Sequence, residues 1–162
     1  MRRFVMTALA ILLIAGANAQ ATDKLVRKNF IHLLKQAEQA RLAQYKGEQK
    51  SQQNFYHLSF SANAPLRLLS DSATLFYNKS DSSWSISFYF TNKSDNSVRA
   101  AKITKGVLEN KIKKNGWTIY EDYDDGKFYD EYSDANDKDR CSWFVGDYGR
   151  GSITVLRIYD VK

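Results

Sequence analysis

Apolar residues recur every three or four positions from residue 23 to about residue 45. Val26, Phe30, Leu33, Ala37 and Ala40 form the repeat, and Ile31 and Leu34 widen it. Lys24, Arg27, Lys28, Lys35, Glu38 and Arg41 occupy the other side. That period predicts an amphipathic helix with one buried stripe, capped by Thr22 or Asp23. Residues 44–53 are rich in Gln and Lys and read as a frayed helix end or linker.

The period then changes to two. Residues 55–60 alternate well enough for a short strand before Pro65 interrupts, and residues 74–78 and 83–91 are firmer strands. In the latter, Trp84, Ile86, Phe88 and Phe90 point one way and Ser83, Ser85, Ser87 and Tyr89 the other. The turn Asn78-Lys79-Ser80-Asp81 joins this pair into a hairpin. The same tetrapeptide recurs at Asn92-Lys93-Ser94-Asp95, where it is turn chemistry used twice, because the flanks do not match. Residues 97–114 predict a second helix, with Ser97 as N-cap, Ala100, Ile103, Val107, Leu108 and Ile112 inward, and Asn115-Gly116 as the stop. Residues 117–123 and 127–133 flank Asp124-Asp125-Gly126 as a second hairpin. Two last strands, 142–147 and 152–161, are joined at Tyr148-Gly149-Arg150-Gly151; the final one is apolar at both parities, as in the middle of a sheet. The expected fold is α+β: an N-terminal amphipathic helix, then a mainly antiparallel sheet of about six strands built from hairpins, with the 97–114 helix packed on one face.

The start of the chain follows neither period. Arg2 and Arg3 precede a 13-residue apolar run and the small-x-small triplet Ala17-Asn18-Ala19, the pattern of a cleaved secretory signal peptide over residues 1–19. A membrane-crossing helix needs roughly 20 apolar residues, so an anchor fits less well. The organisation expected is a signal peptide over 1–19, a helix and polar linker over 20–54 and an α+β domain over 55–162. Export, to the periplasm or the medium, follows, with no transmembrane segment after cleavage.

Composition narrows the rest. Aromatic residues make up 14% of the chain, which has one proline, so it holds apolar area enough to fold. Cys141 is the single cysteine; no intrachain disulfide can form, and its apolar surroundings point to a small buried hydrophobe. His32 and His57 are not spaced as metal ligands, and no nucleotide-binding glycine pattern precedes a helix. Two oxygen-rich loops, at Asp122-x-Asp124-x-Gly126 and Asp134-x-Asn136-x-Lys138, fail as calcium sites for lack of ligands at the later positions. No metal and no cofactor are expected.

Charge is unevenly spread. Six bases face one acid over residues 99–114, and nine acids face three bases over 121–140. A two-residue turn would set Tyr123 opposite Phe128, Asp122 opposite Tyr129, and Glu121 opposite Asp130, whereas a three-residue loop with a Gly bulge would shift the pairing by one and separate the two acids. Paired carboxylates can raise a pKa for acid-base work, which makes Glu121 and Asp130 the candidate catalytic pair of a hydrolase. Rings beside acids also suit recognition of a protein or glycan, giving Tyr120, Asp122, Tyr123, Asp124, Tyr129 and Tyr132 as candidate binding residues. The acidic hairpin argues against nucleic acid as a partner. The expected function is therefore a small exported, non-enzymatic binding domain. The alternatives are the two-carboxylate hydrolase and an inhibitor or immunity-type protein that presents the acidic hairpin to a basic partner.

Overall fold

The structure is a computed structural model that describes residues 2–50, 57–62, 68–91, 95–124, 127–147 and 152–160. Two helices, α1 (Arg2–Glu38) and α2 (Asp95–Asn115), accompany eight strands. These are β1 (Lys46–Gln49), β2 (His57–Ala62), β3 (Ser72–Asn78), β4 (Ser83–Thr91), β5 (Thr118–Asp124), β6 (Lys127–Ser133), β7 (Asp139–Asp147) and β8 (Ser152–Tyr159). The expected α+β class holds, with more strands than the sequence pattern predicts. The added edge strand, β1, follows a 3-10 turn at Leu42–Tyr45, inside the stretch that reads as a linker.

All eight strands form one antiparallel sheet in the order β1-β2-β3-β4-β8-β7-β6-β5. Each helix is followed by a four-strand meander. The last strands of the two meanders, β4 and β8, pair at the centre, with Ser87 opposite Arg157 and Phe88 opposite Leu156. That position explains why β8 is apolar at both parities.

Both helices lie on one face. Asp23 pairs with Arg99 at 2.6 Å and Glu38 with Lys111 at 3.4 Å, so α1 and α2 run side by side in the same direction. From α1, Val26, Phe30, Leu33, Leu34 and Ala37 are buried; α2 adds Ala100, Ile103, Val107 and Leu108. Beneath them lie Phe60, Leu75, Ile86, Phe88, Phe90 and Trp143, one parity of each strand. Each such large side chain contributes about 1.5–3 kcal/mol by leaving water. Among the described residues no helix is long and apolar enough to cross a membrane.

Local chemistry sets the element ends. Helix α1 stops where Ala40 turns to φ 52°, and α2 stops at Gly116, whose φ of 67° is the left-handed C-terminal position that glycine adopts without cost. Helix α2 begins at Asp95, and Ser97 is buried within its first turn instead of capping it. An acidic first residue suits the helix dipole equally well. In the β3–β4 turn, Asn78 Oδ1 accepts the Ser80 N–H at 3.2 Å and Asp81 Oδ1 the Ser83 N–H at 2.9 Å. The second copy of that tetrapeptide begins at residues outside those described.

Candidate binding face

The strand parity that does not feed the core forms a face without a helix. At its centre β4 contributes Ser85, Ser87 and Tyr89, and β8 contributes Val155, Arg157 and Tyr159. Strand β7 adds Ser142 and Phe144, β6 adds Tyr129 and Glu131, and β3 adds Thr74 and Phe76. Rings are usually spent on the core, yet Phe76, Tyr89, Tyr129, Phe144 and Tyr159 all stay partly exposed here. Tyr89, Tyr129, Phe144 and Tyr159, with Ser142 and Arg157, wall a depression of about 450 Å³. A second, of about 410 Å³, runs towards the β3–β4 turn and shares Arg157 and Tyr159.

Polar contacts hold these rings. The Tyr159 and Ser142 hydroxyls are 2.9 Å apart. Burial pushes the Tyr129 phenol far above its usual pKa, and hydrogen bonding to Glu131 and Tyr159 adds to this. Burial likewise raises Tyr159, against the opposing pull of Ser142 and Arg157. Both phenols therefore stay protonated and neutral near neutral pH. Arg157 donates its Nε–H to Ser87 Oγ at 2.9 Å and holds its guanidinium carbon 5.4 Å from the Phe76 ring centre. The Phe144 ring packs against Gly146: a Cβ at that glycine would come within 2.6 Å of Phe144 Cζ. Glycine is required there by the ring's close approach.

The hairpin pairs as a two-residue turn requires. Tyr123 lies opposite Phe128, Asp122 opposite Tyr129, Glu121 opposite Asp130, and Asp124 opposite Lys127. Strand alternation nevertheless scatters the candidate residues. Tyr120 and Asp122 point to the open face but stand at the β5 edge, exposed, with Tyr120 at 62%. Tyr123, at 71%, points to the helix side. Tyr132 is 3% exposed and belongs to the core, so it can touch no partner. Of the four hairpin tyrosines only Tyr129 enters the depression. Asp124 ends β5, and its side chain lies outside those described.

The candidate catalytic pair lies side by side on the helix side of the sheet but in unlike surroundings. Asp130 is fully buried beneath α2, where Lys105 forms an ion pair with its Oδ2, while Oδ1 has no hydrogen-bond partner. Glu121 is exposed on the edge strand, and neither residue lines the open-face depressions. Cys141 is fully buried, and that burial pushes its thiol well above the usual range, which leaves it no thiolate for chemistry. Asp134 turns inward on its own loop. Burial alone would raise its carboxyl, but the Arg140 guanidinium and the N–H groups of Asn136 and Lys138 hold it below the usual range. Among the described residues no group of three or more His, Cys, Asp or Glu side chains is placed to hold a metal.

Arg157, Ser87, Tyr89, Phe144 and Tyr159 were not candidates on the sequence pattern. A trace of them was legible: Ser87 and Tyr89 lie on the polar side of β4, and β8 supplies apolar residues to both faces. Their convergence depends on the β4–β8 pairing, which joins residues 70 positions apart. No family model matches the chain, and no significant match was found among curated proteins or solved structures.

Proposed function

We propose that this protein is a small exported, non-enzymatic binding domain that receives a partner protein on the helix-free face of its sheet. One observation carries the reading: partly exposed rings gather around a single arginine in a depression that the core does not need. Exposed apolar area with a few convergent polar groups is the usual composition of a recognition surface. Export rests on the leader at residues 1–19.

The hydrolase and acidic-hairpin alternatives have less support. A general acid and base must reach the same substrate, whereas Asp130 is committed to Lys105 under a helix and Glu121 faces solvent. The described acids of the hairpin are split between the two sides of the sheet, Glu121 and Asp130 on the helix side and Asp122 and Glu131 on the other.

Retention of proteins from an envelope fraction on the immobilised full chain tests the reading. Tyr129→Ala and Phe144→Ala should each lose a partner that Glu121→Gln and Asp122→Asn retain. The opposite pattern, with capture falling steeply as salt rises, would return the function to the acidic hairpin.

A further inference from the structure

We propose that Arg157 anchors a carboxylate, and that the occupant of the open face is an acidic side chain on a partner polypeptide, flanked by an uncharged apolar residue. This rests on the open face being the recognition surface and adds the chemistry it selects.

The guanidinium is already aimed. Its Nε–H is spent on Ser87 Oγ at 2.9 Å, and Ser87 is fully buried directly across the β4–β8 pairing. The hydrogen bond and the nearby Phe76 ring restrict the guanidinium, and the four N–H groups on its two Nη atoms have no acceptor among the described residues. None of the ion pairs among those residues involves Arg157. A planar pair of parallel donors fits the two oxygens of a carboxylate. Ordering an arginine costs side-chain entropy, and here that cost is met before any ligand arrives.

The surroundings define the rest of the occupant. Arg157 stands where the two depressions meet. Tyr89, Phe144 and Val155 offer apolar contact on one side, and the neutral phenols of Tyr129 and Tyr159 do not repel an anion. Glu131, an acid on this face, is engaged by Tyr129, and Asp122 stands away at the β5 edge. Asp81 lines the far part of the second depression, so a second acid there would be repelled and an uncharged neighbour favoured. Side chains on one face of an extended chain recur about every 7 Å, so a polypeptide can fill both depressions from one strand, whereas a small free acid fills one.

The test is NMR titration of the full chain with two blocked tripeptides, one with glutamate and one with glutamine between two phenylalanines, and with 3-phenylpropionate. The glutamate peptide should shift the Arg157 Nε–H and the Ser87 and Phe144 amides, and bind about tenfold tighter than its glutamine twin, as expected for a hydrogen bond to a charged group. Arg157→Gln and Arg157→Lys should abolish that preference. Ser87→Ala, which keeps the guanidinium but frees it, should weaken binding several-fold and keep the preference. Equal binding of the two peptides at the same residues overturns the carboxylate anchor and leaves the face reading intact. Phenylpropionate binding as tightly as the glutamate peptide overturns the polypeptide occupant, and no shift on this face with any probe overturns the face itself.

Discussion

Single residues set the shape and the pH response of this molecule. Gly146 gives the Phe144 ring its resting place, so Gly146→Ala should force the ring off the strand and cost about 1–3 kcal/mol. In a Phe144→Ala background the same change should cost almost nothing, because the clashing group is gone. Urea unfolding of the four chains measures the coupling, and additive effects would show that the ring does not depend on the glycine. Asp160 governs pH. Its Oδ1 accepts the Leu42 N–H at 3.1 Å, tying the turn after α1 to the end of β8, and burial pushes the carboxyl up to about 6 against that hydrogen bond. A carboxyl with a higher pKa folded than unfolded binds its proton more tightly when folded. Its stabilising effect is therefore complete below about pH 4 and lost as pH rises through about 6. Asp160→Asn keeps an acceptor for Leu42 without the charge, so it should stabilise the protein by about 1–3 kcal/mol at pH 7.5 and have little effect at pH 4. Equal stabilisation at both pH values would remove burial of the charge as the cause.

Among the elements, the β5–β6 hairpin shows how far a sequence pattern carries. The hairpin itself is legible in the amino-acid order from Asp124-Asp125-Gly126, but its register is not, because a two-residue turn and a three-residue loop pair Glu121 differently; the structure takes the pairing that sets Glu121 opposite Asp130. Which side of the sheet each residue serves is not legible either, because alternation gives two faces without saying which one a helix covers. Helix α2 settles it by placing Lys105 over Asp130 and making Tyr132 core. The same blindness hides the open face, since Arg157 and Ser87 meet only through long-range pairing of β8 with β4. Local elements such as α2, the β3–β4 turn and the Gly116 stop are legible because their causes lie within a few residues. The Lys105–Asp130 pair is accordingly a strut between helix and hairpin. Lys105→Met should cost about 2 kcal/mol, less than a wholly buried pair because Lys105 is partly solvated. Adding Asp130→Asn should recover part of that loss, since it removes the buried charge left alone. Urea midpoints of the single and double variants measure this, and an unchanged midpoint for Lys105→Met would show that the strut bears no load.

At the scale of the whole molecule the two layers differ in charge. Over residues 20–38 α1 carries four bases and two acids, and α2 carries six bases and two acids. Without the charges of residues 1–19 the formal +6 becomes +4, so the strands and loops hold a net −2. The two layers are nevertheless one folding unit. Phe30, Leu33, Leu34 and Ala37 cover the same core that Ile86, Phe88 and Leu156 build from below. The first described core side chain is Val26. A chain beginning at residue 39 would uncover the sheet under α1 and lose several large buried side chains at about 1.5–3 kcal/mol each, comparable with the 5–15 kcal/mol that holds a typical domain together. We expect residues 20–162 to unfold in urea as a single cooperative transition, and residues 39–162 to show none. A cooperative transition for 39–162 would show that the sheet and α2 hold together without α1.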